Sequence, residues 1–343
     1  MDHQERSLRI GAGVILCALL LRLTATGFFR PVAEFFAKPN IVASLIYLET
    51  GRIVRFSPST EPVQEAFAYE SPVPDFVHEI VAVTEPPETN PPLPAFAEAQ
   101  AEEIRFKNSA GVKFDAAALL TQPLQWNLTS GEPTVLILHT HGSESYTPVA
   151  GEEYEQTAAF RTLDEDHNMI AVGDHLARLL EDSGIGVVHD RQLHDHPSYN
   201  GSYNNARKAI QQYLKAYPSI VLVLDLHRDA SGDVNKQMRT EALVNGAESA
   251  QIMFVVGTSA SGLKHPAWKE NLSLALKLQV QMEEIAAGIC RNLNLRAQRF
   301  NQDLAAGALL VEVGSAGNTR EEALTAVEVL AQAVIELAKG TEQ

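Results

Sequence analysis

The stretch VLILHTHGSESY, from Val135 to Tyr146, joins a short apolar run to side chains that can bind a metal. Val135 to Leu138 is uninterrupted apolar sequence, which is typical of a strand buried on both faces of a sheet. His139, His141 and Glu144 follow at once. In open α/β sheets, ligands bind at the edge formed by the carboxyl ends of the strands. This stretch therefore predicts a functional site at such an edge.

Two later apolar runs carry the same kinds of residue. The run IVLVLD, from Ile220 to Asp225, leads into His227, and the run ALLVEV, from Ala308 to Val313, contains Glu312. A carboxylate inside a core strand is costly unless it is paired or lies near a cation. Two histidines and a glutamate with one open position are typical of catalytic zinc sites, whereas structural zinc sites are usually rich in cysteine. The three runs together predict a catalytic zinc site.

The spacing of the candidate ligands favours one set. His141 and Glu144 form an H-x-x-E pair, which lets a single turn present both side chains to one small cation. His139 stays open as an alternative to His141, because alternate residues of a strand share a face. With His227 as the third ligand, zinc would lower the pKa of a water to roughly 7. Glu312 would then act as the general acid and base.

Arg228 is a second catalytic candidate, because it is adjacent to His227. Its guanidinium can stabilise an oxyanion or bind a substrate carboxylate in a bidentate pair. An ion pair with Asp225 or Asp229 is an equally open alternative. These two carboxylates and His139 are also candidates for orienting a ligand imidazole.

Composition excludes one class of function. The chain has 343 residues and a net charge of −16. This charge argues against nucleic-acid binding, because phosphates require clustered Lys and Arg. Only two cysteines occur, and one of them is Cys17 in the N-terminal apolar segment. No structural disulfide is therefore expected within the folded domain.

Residues 1–30 predict a membrane anchor. Basic residues precede an apolar run from Ile10 to Leu21, and mostly apolar sequence continues after Arg22 to Phe29. A segment of this kind is long enough to cross a bilayer, which takes about 20 residues. A cleaved signal peptide is the alternative, since Thr24 to Gly27 are small. We expect an uncleaved anchor, a single pass through the cell membrane, and a catalytic domain outside the cytoplasm.

Residues 31–129 are expected to link the anchor to the folded domain. Apolar spacing from Ile41 to Gly51 suits a short juxtamembrane helix. The following sequence is rich in Pro and Glu and includes EPPETNPPLP at Glu85 to Pro94. Such a composition buries little apolar surface and behaves as an extended spacer. The sequence thus predicts a stalk, followed by a folded domain over residues 130–343.

Strands and helices alternate in that domain. Apolar spacing predicts helices over Met169 to Asp182, Asn204 to Tyr217, Trp268 to Leu293 and Thr319 to Lys339. A polar loop from Asp190 to Ser202, with His194 and His196, is expected over the active edge rather than on the metal. This alternation predicts an α/β fold of three layers, with a mainly parallel or mixed sheet flanked by helices.

Five motifs together resemble one known family. In order they are HTHGSESY, RTLDEDHNMIAVGDHL, HDHPSYNGSY, LDLHRDA and NQDLAAGALLVEVGSAGNT, and the resemblance covers essentially Val135 to Ala338. They resemble the stage II sporulation protein P family of endospore-forming bacteria, which is related to the zinc N-acetylmuramoyl-L-alanine amidases. The resemblance implies a phosphorylase/hydrolase-like fold. It also implies hydrolysis of peptidoglycan at the amide between the glycan lactyl group and the first stem-peptide residue, with some endopeptidase activity.

The resemblance also implies a setting and a site. Members act during forespore engulfment, in the space between the mother-cell and forespore membranes, with stage II sporulation proteins D and M. The HTHxxE stretch and His227 match as zinc ligands, and Glu312 matches the catalytic glutamate. The commoner zinc amidases take their carboxylate ligand from just before the next helix, which points to Asp164 or Glu165 instead of Glu144. A zinc carboxypeptidase or endopeptidase and a non-catalytic scaffold of the engulfment complex stay open as alternative functions.

Overall fold

A computed structural model describes residues 96–124, 128–129, 131–233 and 236–339. The expected anchor and juxtamembrane helix, together with the Pro-rich sequence up to residue 95, lie outside the described residues. Within the described ranges, no helix is both long enough and apolar enough to cross a membrane.

The described residues form eleven strands, seven of them in one central sheet. The strands are β1 (Phe106–Asn108), β2 (Val135–Leu138), β3 (Val187–His189), β4 (Leu222–Asp229), β5 (Gly232–Asp233), β6 (Lys236–Gln237), β7 (Ala242–Val244), β8 (Ala247–Ser249), β9 (Ile252–Gly257), β10 (Leu293–Arg296) and β11 (Ala308–Ser315). The central order is β1-β10-β9-β11-β4-β2-β3. Neighbouring strands are parallel except that β9 runs antiparallel to β11. The sheet therefore consists of two parallel blocks that run in opposite directions.

Five α-helices pack on this sheet unequally. They are α1 (Ala116–Leu120), α2 (Met169–Glu181), α3 (Ser202–Ala216), α4 (Trp268–Ile285) and α5 (Arg320–Lys339). Apolar residues of α1, α2, α4 and α5 form the larger core against one face of the sheet. Helix α3 packs on the opposite face, against β2, β4 and the first residue of β11. The predicted three-layer α/β arrangement, with a mostly parallel sheet between helices, is confirmed.

The strand β11 shows how the sheet sorts its side chains. Leu309, Val311 and Val313 belong to the larger core, whereas Leu310 belongs to a small cluster on the opposite face. Successive side chains of a strand point to opposite faces. Glu312 therefore lies on the same face as Leu310, away from the larger core.

The folded part of the chain begins well before residue 130, where it was expected to start. Strand β1 pairs with β10, and Leu119 and Leu120 of α1 are buried in the larger core. Lys277 of α4 donates hydrogen bonds to the carbonyl oxygens of Leu119 and Leu120 at 3.0 and 2.6 Å. The expected stalk boundary is thus corrected. A three-residue edge strand and a five-residue helix are too short to show a recognisable period.

The helix expected from Trp268 to Leu293 is also shorter than predicted. Helix α4 ends at Ile285, and strand β10 begins at Leu293. Gly288, between them, has a φ of 82°, which an α-helix cannot accommodate. Leu293 begins an extended strand in the sheet, so the predicted helix is wrong beyond Ile285.

Candidate metal centre and its cleft

The turn after β2 is held in place by a buried carboxylate. Asp195 accepts hydrogen bonds from the backbone N–H and the hydroxyl of Ser143, at 3.2 and 2.5 Å. It also accepts one from Nη1 of Arg161 at 2.7 Å. The N–H of Glu144 donates to the carbonyl of His141 at 3.1 Å and closes the turn. The H-x-x-E pair is therefore presented by a single, well-supported turn.

His141, Glu144 and His227 come together at the end of this turn. Each residue offers one ligand atom, either a ring nitrogen or a carboxylate oxygen, and these three atoms all lie within 4.8 Å of one another. Oε1 of Glu144 is 3.5 Å from Nδ1 of His141, and its Oε2 is 3.5 Å from Nδ1 of His227. Within the part of the chain that the structure describes, this is the one group of at least three His, Cys, Asp or Glu residues close enough to hold a metal ion.

Asp225 stands behind the imidazole of His227. Its Oδ1 lies 3.0 Å from Nε2 of His227, but the two atoms are not aligned for a hydrogen bond, and Nε2 has no hydrogen-bond partner. Thr140 donates its N–H and its hydroxyl to Asp225 at 2.7 and 2.6 Å. Burial lowers the pKa of His227, but the carboxylates of Asp225 and Glu144 outweigh it and raise that pKa well above its ordinary value. Asp225 is thus placed to orient the ring, as carboxylates behind ligand histidines commonly do.

Two arginines keep Glu144 ionised. Nη2 of Arg161 donates to Oε1 at 3.1 Å, and the backbone N–H of Arg228 donates to Oε2 at 3.2 Å. Burial raises the pKa of Glu144, but the Arg228 guanidinium and the imidazoles of His141 and His227 outweigh it and hold the pKa well below its ordinary range. A carboxylate must be deprotonated to bind a metal, so this environment favours a ligand role.

Arg228 is buried and shapes the loop around the site. Its Nε donates to the carbonyl of Ser145 at 2.9 Å, and its Nη2 donates to that of Phe160 at 2.6 Å. Its acidic neighbour is Glu144, 3.7 Å from Nη1, because Asp229 instead pairs with Arg291 at 2.8 Å. The ion pair with Asp229 that the sequence left open is therefore not formed, and a role in oxyanion stabilisation stays a prediction.

Glu312 lies beside His227 in the paired register of β11 and β4. Its Oε2 is fully buried and has no hydrogen-bond partner. Burial raises the pKa of Glu312 to about 8, with the charges of Glu144 and Asp229 adding to this effect and those of His227 and Arg228 opposing it. A carboxyl group that exchanges its proton near neutral pH is suited to general acid and base catalysis.

The alternative carboxylate ligands are engaged elsewhere. Asp164 contacts Nδ1 of His167 at 2.9 Å, and Glu165 pairs with Arg191 at 2.5 Å. Neither belongs to the group that contains Glu144. The geometry therefore favours Glu144 as the carboxylate ligand.

The other histidines near the strand ends also have separate contacts. Nε2 of His139 lies 2.8 Å from Nε2 of His189, so His139 faces away from the ligand group. His194 is buried against Asp190, with 2.9 Å between Nε2 and Oδ2, and His196 is exposed. Their placement agrees with a ligand set that contains His141.

The candidate metal centre opens into a cleft of about 740 Å³, and aromatic residues not singled out from the sequence line it. The rings of Tyr199 and Tyr203 lie 4.6 and 5.5 Å from that of His141. Tyr199 is 54% exposed, and the guanidinium carbon of Arg161 is 4.8 Å from its ring centroid. Tyr199 could have been found from the sequence, because it lies within the polar loop that was expected over the active edge.

Comparison with known proteins identifies relatives of the chain. The family model described as stage II sporulation protein P matches residues 70–335. Stage II sporulation protein P of Bacillus subtilis (strain 168) is 27% identical over 220 residues, which cover 61% of this chain and 52% of that protein. The chain thus spans about half the length of this relative.

Several solved structures show a weaker likeness. N-acetylmuramoyl-L-alanine amidase AmiC2 of Nostoc punctiforme is 15% identical to this chain. The match covers 59% of this chain and 94% of the amidase chain, with a TM-score of 0.36. The CwlD amidase from Clostridioides difficile, solved in complex with the GerS lipoprotein, is 14% identical, with coverages of 60% and 95% and a TM-score of 0.35. TM-scores this low carry no information about the function of this chain.

Proposed function

Because the chain belongs to the stage II sporulation protein P family, we propose that it is a zinc-dependent peptidoglycan hydrolase that acts on the cell wall during sporulation. Its reaction would be that of an N-acetylmuramoyl-L-alanine amidase. The observation that carries this proposal is the convergence of His141, Glu144 and His227 at one sheet edge, with Glu312 on the neighbouring strand.

The side chains fit a zinc ion. Two imidazoles and one carboxylate are a donor set of catalytic zinc sites. Oε2 of Glu312, which lines the same cleft, is buried without a hydrogen-bond partner, which is the condition expected of a group that acts on something bound there. When bound by His141, Glu144 and His227, zinc would supply Lewis-acid chemistry, polarising the amide carbonyl and acidifying water.

The chain's own residues would provide the proton transfers and the positioning. Glu312 would take a proton from the attacking water and pass it to the departing amine, a role supported by its position beside His227 in the cleft. Arg161 and Arg228 hold Glu144 in its ionised form. Arg228 also lines the cleft, where its guanidinium could stabilise negative charge on the amide oxygen.

We also propose a setting on the basis of the family and the N-terminal sequence. Residues 1–30 would anchor the protein in the membrane, and the catalytic domain would lie outside the cytoplasm, between the mother-cell and forespore membranes. Stage II sporulation proteins D and M would be its partners during engulfment.

Digestion of purified peptidoglycan tests the proposal. Full-length protein in mild detergent is incubated with the wall, and the products are identified by mass spectrometry. An amidase releases stem peptides with a free L-Ala amine and leaves the glycan intact, and a chelator abolishes this release until zinc is restored. Cleavage only within the cross-linking peptides would instead identify a zinc peptidase. No product from folded, zinc-supplied protein would refute hydrolysis and favour a scaffold.

A further inference from the structure

Part of the sheet beyond the candidate metal centre forms the floor of the cleft, and no described α-helix packs on it. Met253, Val255 and Leu310 form a small cluster on that face with Phe300 packed against it, and all four line the cleft. Helix α3 packs on the same face of the sheet, but against β2, β4 and the first residue of β11. Among the described elements, no helix covers the same face of β9, β10 and β1. The cleft therefore continues from the metal centre across the sheet towards its edge.

The strand register places polar residues along this extension. Leu310 is paired with Val255, Val255 with Asn294, and Asn294 with Lys107 at the sheet edge. All of them line the cleft. Adjacent strands are about 4.8 Å apart, so Asn294 lies about 10 Å and Lys107 about 14 Å across the sheet from β11, which carries Glu312.

The far end of the cleft offers unused hydrogen-bonding groups. Asn294 is only 5% exposed, and its Oδ1 has no hydrogen-bond partner. Arg291 uses Nη2 to bind Asp229 at 2.8 Å, but its Nη1 is buried without a partner. A buried polar atom without a partner is costly, and a bound ligand can satisfy it.

This end of the cleft is also positively charged. Lys107 and Arg296 both line it, and neither has an acidic partner among the ion pairs of the described residues. Arg291 is balanced by Asp229. Two uncompensated cations therefore face the cleft in a chain whose net charge is −16, and such a local potential attracts an anionic group.

From this arrangement we infer that the far end of the cleft is a subsite for the carboxylate of an extended acidic peptide, with Lys107, Arg291, Arg296 and Asn294 as the recognition residues. Charge-assisted hydrogen bonds from Lys and Arg bind carboxylates, and the Asn amide can pair with a peptide group. An extended peptide advances about 3.4 Å per residue. The separation of about 10 to 14 Å from β11, which carries Glu312, corresponds to three or four residues of an extended peptide. This inference rests on the proposed function, since it assigns the peptide arm of the substrate to this side of the site.

The test measures peptide binding directly. Full-length protein is titrated calorimetrically with a synthetic tetrapeptide that begins with L-Ala and has free carboxylates on its third and fourth residues. The same peptide with these carboxylates amidated and a peptide-free wall disaccharide are the comparison ligands. We expect the free acid to bind about 10-fold or more tightly than the amide, the effect of one or more charge-assisted hydrogen bonds.

Two double variants separate the subsite from total charge. Lys107→Ala combined with Arg296→Ala should remove the preference for the free acid. Lys113→Ala combined with Lys208→Ala, which removes the same charge at exposed positions outside the cleft, should keep it. Thermal unfolding of each variant checks that it is folded.

Equal affinity for acid and amide, no measurable peptide binding, or binding of the disaccharide instead would each overturn the inference. Digestion of the wall by the same proteins separates the two proposals. Peptide release with no charge preference leaves the proposed function standing and refutes the subsite. Charge-dependent peptide binding by a protein that releases nothing leaves the subsite standing and refutes the proposed function.

Discussion

Glu312→Gln should separate catalysis from folding. Glutamine has the shape of glutamate but cannot accept a proton at neutral pH, so it removes the proton transfer and leaves the packing. General acid and base catalysis by one positioned side chain contributes about 10²- to 10⁴-fold. At about 1.36 kcal/mol per factor of ten, this is about 3 to 5 kcal/mol of activation free energy. We therefore expect kcat for peptide release to fall by about 10²- to 10⁴-fold.

The same substitution should change the pH dependence of stability in the metal-free protein. Burial raises the pKa of Glu312 from its ordinary 4.5 to about 8. The stability linked to the retained proton is fully present below pH 4.5 and is lost as the pH rises from 4.5 through 8. A shift of this size corresponds to about 5 kcal/mol. The Gln variant cannot ionise, so it should unfold at a higher denaturant concentration than the wild type above pH 8.

Two assays decide this prediction. Mass spectrometry of released stem peptides gives the rate, and urea unfolding of chelator-treated protein at pH 6 and pH 9 gives the stability. Glu336→Gln is the matched control, because Glu336 is partly exposed on α5 and its ion pair among the described residues is with Lys339 of the same helix. A Glu312→Gln protein that kept more than about a tenth of the wild-type kcat would refute the assigned role of Glu312.

Three further substitutions test the support of the site and the fold. Asp195→Asn removes the carboxylate that holds the turn after β2 and Arg161. The free energy of unfolding should fall by about 1 to 3 kcal/mol, and an unchanged denaturation midpoint would contradict this. Lys277→Met removes the Lys donor from the carbonyl of Leu120 and leaves that of Leu119 with the Ser273 hydroxyl. Amide hydrogen exchange should therefore accelerate in α1 first, and a uniform change across the domain would argue against this. Gly173→Ala would place a Cβ atom 2.5 Å from Nε2 of His139. We therefore expect the free energy of unfolding, measured by chemical denaturation, to fall by about 1 to 3 kcal/mol. A variant as stable as the wild type would show that this packing is not tight.

Much of this fold could be predicted because its central elements have strong local patterns. Helix α2 was expected over Met169 to Asp182 and is observed over Met169–Glu181, since its apolar residues recur at the helical period. The direction of β9 relative to β11 could not be predicted, because a short apolar run has the same pattern in either orientation. The pairing of β1 with β10 depends on contacts between distant parts of the chain, which leave no periodic signal in three residues.

Part of the candidate site could likewise be predicted from the sequence, and part could not. His141, Glu144 and His227 could be placed together because the first two follow β2 and His227 lies near the end of β4, and the carboxyl ends of parallel neighbours meet at one edge. Arg161 and Tyr199 come from loops whose positions depend on tertiary contacts such as the Asp195 hydrogen bonds. The cationic end of the cleft depends on an edge strand and on a helix that ends earlier than its sequence indicates. Such features become visible only after the chain is folded.

Zinc stoichiometry tests the central claim most directly. Full-length wild type, Glu144→Gln and Asp164→Asn are loaded with zinc, dialysed and subjected to elemental analysis, with circular dichroism to confirm folding. The proposed ligand set predicts about one zinc per chain in the wild type and in Asp164→Asn, and a large loss in folded Glu144→Gln. Full zinc retention by Glu144→Gln together with loss in Asp164→Asn would contradict it.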